Sequence, residues 1–184
     1  VADTVRSSAD LLANLFQDGQ AASSITAQDL RDLIVSMLHS NGAFSMVTPA
    51  ATTISVAGTY YKAAGTTLFA TDDATAFDDD SGTSNRIKYI GTPDKHCEIR
   101  AVVSLTCSGS NQVLGFKIAK NGVVIDTSSV RHTIGSGSEV IAISVSGYED
   151  VSADDYFELF VTNETSTATI TIEEIAFFVD GSMH

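Results

Sequence analysis

The chain has 184 residues, of which 43% are hydrophobic, with two prolines and no tryptophan, enough for one core and a small appendage. Its 23 acidic side chains against 10 lysines and arginines give a formal net charge of −13, which opposes binding to nucleic-acid phosphates and to anionic membrane surfaces. No stretch approaches the roughly 18 to 20 apolar residues of a spanning helix, and the N-terminus lacks the basic flank and apolar run of a signal peptide.

The first 42 residues carry a helical period. Leu11, Leu12, Leu15 and Phe16 share one face of a helix that Ser7 caps and Gly19 stops. A second helix is better specified. Thr26 is placed as N-cap with Asp29 three residues on, a capping box with Asp in the Glu position, and Ile25 and Leu30 sit at the staple positions. Leu30, Leu33, Ile34, Met37 and Leu38 follow at i, i+3, i+4, i+7 and i+8, and Asn41-Gly42 supplies a stop. Such short helices are marginal alone, so their stripe needs a partner: the chain's own β domain, another copy, or a larger assembly.

Thr48 to Thr53 reads as a small-residue linker, dividing a helical segment, 1–47, from a β domain, 48–184. Strands at period two are expected over Thr53 to Tyr61, Thr66 to Thr71, Arg86 to Ile90, Glu98 to Cys107, Val113 to Lys120, Val123 to Thr127, Val140 to Gly147, Tyr156 to Thr162 and Ala168 to Val179. Glycine-bearing turns separate them, the pattern of an antiparallel jelly-roll β-sandwich, so the fold class is mainly β with a short helical segment. Cys97, Ile99, Ala101, Val103, Leu105 and Cys107 fall on one face. Ten positions along one strand span about 33 Å, so the two cysteines cannot bridge and act as small buried hydrophobes, which fits a reducing compartment. Asn121-Gly122 marks a type I′ hairpin, since both central residues need positive φ.

The last strand changes parity. Ile170 and Ile172 share one face, while Ile175, Phe177 and Val179 take the other and Phe178 keeps the first apolar. A β-bulge at Glu173-Glu174 is one account. The other, favoured here, is burial on both faces by a neighbouring subunit, which makes Ile170, Ile172, Ile175, Phe177, Phe178 and Val179 an expected oligomer interface.

Chemistry is sparse. Asp72-Asp73 and Asp78 to Asp80 lack the spacing of a calcium loop and read as a solvated loop. His39, His96, His132 and His184 are too scattered for a metal site, and no nucleophile elbow is present. No catalytic residue, metal or cofactor is therefore expected. Asn163-Glu164-Thr165 fits the glycosylation pattern formally but reads as a polar turn. Tyr60, Tyr61, Tyr148 and Tyr156 are candidates for packing or surface recognition.

Ser24 to Ser36, read as I-T-x-x-D-L-R-D-L-x-x-S from Ile25, resembles a segment recurring near the N-termini of tailed-bacteriophage structural proteins. The β half is similar to phage jelly-roll modules and to the trimeric heads of complement-like and tumour-necrosis-factor-like proteins. The matching pieces are Lys120-Asn121-Gly122 and Asp154 to Asn163, with Asp154 where that family usually has Gly. The resemblance implies a non-enzymatic virion protein, a homotrimer assembled in the bacterial cytoplasm, that decorates the capsid or forms part of a fibre. It would dock on capsid or tail proteins through Ile25, Leu30, Arg31, Leu33, Ile34, Met37 and Leu38. The alternative it implies is a receptor-binding module for a host surface glycan, against which the absence of tryptophan counts.

Overall fold

Alternating apolar residues need a second layer to bury their inner face, and the computed structural model supplies it as two antiparallel sheets. It describes Leu11 and residues 25–37, 40–71, 74, 76–92 and 94–183. Helix α1 (Ala27–Met37) precedes the sandwich. The six-stranded sheet has the order β11 (Ile141–Val151), β7 (Lys95–Cys107), β13 (Ile170–Met183), β1 (Ser40–Pro49) and β4 (Gly65–Ala70), with β2 (Ala51–Thr52) also on β13. The seven-stranded sheet runs β10 (Val130–Ile134), β8 (Gln112–Lys120), β12 (Tyr156–Asn163), β6 (Ile87–Tyr89) and β5 (Phe77–Asp78); β3 (Tyr61–Lys62) pairs with β12 and β9 (Val123–Val124) with β8.

The core between the sheets follows the expected alternation. In β7 all six residues from Cys97 to Cys107 on the predicted face are buried. Both cysteines are free thiols. Burial pushes the Cys97 thiol up to about 12, so it stays protonated and inert at neutral pH.

Four expectations need correction. The boundary at 47/48 falls inside β1, a central strand paired to both β13 and β4; the sandwich begins at Ser40, and Asn41-Gly42 is strand, not helix stop. The strand expected over Thr53 to Tyr61 is mostly a loop between β2 and β3, anchored where the Gly58 amide donates to the Asn163 carbonyl at 2.9 Å. β10 was not anticipated. In β13 the register shifts between Ile172 and Glu174, opposite Leu105 and Ser104, leaving Glu173 as the extra residue of a bulge; its carboxylate accepts the Thr106 hydroxyl at 2.8 Å. Because one inserted residue flips the strand's parity, Ile170, Ile172, Ile175, Phe177 and Val179 all point into the chain's own core and are buried. They offer nothing to a neighbour. Of the six expected interface residues only Phe178 is exposed.

The hairpin is as expected, with Asn121 at φ 53° and Gly122 at φ 76°. Its Asn121 side chain clips the next strand, accepting the Tyr156 amide at 3.0 Å and donating to Asp155 at 2.6 Å. Asp154 has φ 75°. The turn is kept in the left-handed region by a residue that tolerates it, held by its amide on the Tyr89 carbonyl at 2.9 Å. A Cβ added at Gly122 would meet only the Tyr156 hydroxyl, at 3.7 Å, so Gly122→Val pays in backbone strain alone. About 1–2 kcal/mol of lost stability is expected in urea unfolding, with lower soluble yield; an unchanged midpoint would contradict the turn.

Candidate interaction surfaces

Of the residues expected to dock, Leu30, Arg31, Leu33, Ile34 and Met37 lie on α1, and the helix begins as its sequence dictates. The Asp29 carboxylate accepts the Thr26 amide at 2.7 Å, and the Thr26 hydroxyl accepts the Asp29 amide at 3.2 Å. This is the reciprocal capping box. α1 lies against β13, and among its described side chains only Asp32 is buried. Asp32 is buried and accepts the Gln28 amide at 2.8 Å, while Leu30 and Ile34 are 50% and 60% exposed. Leu33 is half-buried and Arg31 exposed, the latter donating to Gln28 at 3.0 Å. Ile25 is also exposed, so the expected staple with Leu30 buries neither residue. Met37 ends the helix backbone; its side chain, Leu38 and the first predicted helix, apart from the buried Leu11, fall outside the described residues.

A second surface was not anticipated. The outward positions of the six-stranded sheet align in rows across five strands: Ser144, Val102, Ala176, Ser45 and Leu68 in one, Ser146, Arg100, Phe178, Ala43 and Ala70 in the next. Leu68, Val102 and Phe178 are 65%, 50% and 44% exposed. The sequence signal was present as apolar residues on the polar parity of each strand, but the register that joins them was not.

The outward face of the seven-stranded sheet is the opposite in kind. Buried Glu158 meets Lys62 at 2.8 Å and Arg86 at 2.9 Å. Arg86 also meets Asp80 at 2.5 Å and covers the Tyr156 ring at 3.8 Å. Lys88 pairs with Asp154 at 2.8 Å, Lys120 with Asp155 at 2.8 Å, Lys117 with Asp126 at 2.6 Å and Arg131 with Glu164 at 2.6 Å. Lys117 also lies 4.7 Å from the centre of the Tyr60 ring. The acidic loop is thus partly spent internally, on Arg86 and Lys88; Asp72 and Asp73 lie outside the described residues.

These pairs carry a pH dependence. The Arg86 guanidinium holds the Asp80 carboxyl below its ordinary value, burial opposing and Lys88 assisting. At Asp155 burial works to raise the value, but Lys120, the Ser152 amide and Asn121 outweigh it and the carboxyl is lowered. An unfolded aspartate titrates near 3.9. Both groups therefore contribute stability above about pH 4 that is lost as pH falls through their lower folded values. The melting temperature should drop across that window, and Asp80→Asn with Asp155→Asn should flatten the drop; an unaltered profile would contradict the assignment.

Among the described residues no group of three or more His, Cys, Asp and Glu is placed to hold a metal ion, and no helix is long and apolar enough to cross a membrane. His96 meets Asp150 at 2.8 Å and stacks on Tyr148; His132 lies on β10, and His39 and His184 are outside the described residues. Tyr61 is tied down by the Val56 amide, which donates to its hydroxyl at 3.0 Å. Asn163, the formal glycosylation acceptor, is buried. Its side-chain oxygen accepts the Thr165 and Ser166 amides at 3.0 and 3.1 Å, so it is the turn the sequence indicated.

No protein-family model and no curated protein matches the chain. Solved structures with a similar arrangement include murine APRIL at pH 5.0, with 7% identity over 77% of this chain and 98% of that one and a TM-score of 0.48. The PRD1 vertex protein P5 has 11% identity over 79% and 97%, with a TM-score of 0.44. The globular domain of a zebrafish complement 1qA protein has 12% over 78% and 98%, with a TM-score of 0.41. At these identities and scores the likenesses say nothing about partners, and what stands is the chain's own architecture: an antiparallel jelly-roll β-sandwich preceded by a short capped helix.

Proposed function

We propose that this chain is a non-enzymatic structural protein of a tailed-bacteriophage virion, a homotrimer that docks on a capsid or tail protein through α1. The observation that carries the reading is the pair of exposed apolar residues on α1. A helix with a complete capping box, inside the phage-like segment, buries Asp32 and leaves Leu30 and Ile34 in solvent. Exposed apolar residues at i and i+4 on a formed helix are the anchors of helix-in-groove recognition. The resemblance of the segment Ile25 to Ser36 supplies the kind of partner.

Immunogold electron microscopy of virions from the source lysate, with antibody to this chain, tests the assignment. Discrete label on head or tail supports it, and label confined to host debris overturns it. Leu30→Asp with Ile34→Asp changes exposed positions, so the sandwich should keep its melting temperature while added protein loses attachment to virions. Persistent attachment would remove α1 from the docking role. Binding of the full chain to host cells, unaffected by the double substitution, would favour the glycan-recognition reading. Because β1 starts at Ser40, a truncation must stop at residue 39 to spare the sheet.

A further inference from the structure

We infer that the surface which receives α1 is a protein groove with an apolar floor and a rim of lysine and arginine side chains. The inference rests on the docking role proposed for α1 and adds the chemistry of the partner. Three observations carry it.

The first is that charge is divided along the length of the sandwich. α1 ends at Met37, shortly before Ser40, which pairs with Gly181 of β13. The strand ends and turns on that side hold Asp94, Glu149, Asp150, Asp154 and Asp155, and Asp180 is the neighbour of Gly181. Lys88 pairs with Asp154 and Lys120 with Asp155, while Lys95 is buried, so among the described residues the acids of this end outnumber its cations. The opposite end is nearly neutral. Its turns, 53–60, 108–112, 135–139 and 163–169, carry only Glu139 and Glu164 as charges, and Glu164 pairs with Arg131 at 2.6 Å. The helix therefore sits at the end of the chain that attracts cations.

The second is a like-charge pair kept in register. Glu98 of β7 and Asp180 of β13 stand directly opposite each other, with Arg100 at 3.4 Å from Glu98. Opposed carboxylates cost a sheet stability and deepen the local negative potential, and cations on an approaching surface relieve both.

The third is the small size of the apolar anchor. Leu30 and Ile34 are exposed one turn apart on α1, and burying two aliphatic side chains does not by itself offset the lost freedom of two associating macromolecules. A chain of net charge −13 also repels any acidic surface before those side chains meet it. A basic rim around an apolar floor removes the repulsion, speeds encounter and supplies the missing contacts.

Attachment of the labelled full chain to virions purified from the source lysate, followed in time over a sodium chloride series, tests this. Raising salt from about 0.1 M to about 1 M shortens the Debye length from about 10 Å to about 3 Å, and attachment of the wild type should slow at least about tenfold. Asp150→Asn with Asp180→Asn should slow it at least about threefold at low salt and flatten the salt dependence. Glu139→Gln with Glu174→Gln removes the same charge from the other half of the sandwich and is the control, expected to attach like the wild type. All four positions are exposed, so melting should change little in either variant. Attachment that ignores salt, Asp150 and Asp180 variants that attach as fast as the wild type, or a control that slows equally would each overturn the basic rim. If Leu30→Asp with Ile34→Asp still abolishes attachment in that case, α1 docks on an uncharged groove and the inference alone fails. If that variant attaches like the wild type, or the wild type does not attach, the docking role of α1 fails and the inference falls with it.

Discussion

Phe177→Ala is expected to cost about 3–5 kcal/mol in urea unfolding, the usual range for emptying a large buried aromatic site. Phe178→Ala, one residue on, should cost under about 1 kcal/mol, as exposed positions do. Phe177 is fully buried and stacks on Phe44 with centroids 4.7 Å apart and planes within 7°. Phe178 points outward into the row with Arg100 and Ala43. The contrast depends wholly on the extra residue at Glu173. If β13 were unbulged and buried on both sides within one chain, the two substitutions would cost alike, and equal values would refute the register.

What could be read from the sequence was what local chemistry alone decides. Thr26 with Asp29 fixes a helix start, and Asn121-Gly122 fixes a hairpin, because both act on neighbouring amides and dihedrals. β7 was legible since six inward positions are apolar without interruption. β1 was not, because its inward positions include Ser40 and Gly42 in place of large side chains. Ser40 is buried because the Lys95 ammonium donates to its hydroxyl. A Cβ at Gly42 would sit 3.0 Å from both Phe77 and Ile87; the core is filled there from the other sheet, which a period count cannot see. The bulge in β13 was visible as one of two explanations for the same parity change, and only the pairing with β7 decides between them. The outward rows and most of the ion pairs on the opposite face were illegible for one reason: they join residues tens of positions apart. Nothing in the sequence joins Arg86 to Glu158, or Val102 to Leu68, until strand order brings them together.

Asn163→Asp exchanges one atom and is expected to cost about 3 kcal/mol or more at pH 7. Asn163 is buried at the turn between β12 and β13, and its amide nitrogen donates to the Gln112 side-chain oxygen at 3.0 Å and the Ala168 carbonyl at 3.2 Å. An aspartate keeps the two bonds accepted from Thr165 and Ser166 but turns the donor into an acceptor facing two oxygens. Gln112 cannot simply reverse its amide, since its own nitrogen donates to the Ser110 carbonyl at 2.6 Å and its oxygen accepts the Ser166 hydroxyl at 2.5 Å. The variant therefore buries either an uncompensated charge or an unsatisfied pair, each costing several times a net hydrogen bond. Burial without a cation raises the folded pKa of the new carboxyl above its unfolded value near 3.9. The penalty is then full above the raised value and relieved as pH falls through it, when the protonated acid donates again. Relative to wild type the variant should thus recover stability on moving from pH 7 toward pH 4, the reverse of the trend set by Asp80 and Asp155. A pH-independent difference in unfolding free energy would mean that the site is open to water and that Asn163 does not hold the turn in the way its side-chain bonds indicate.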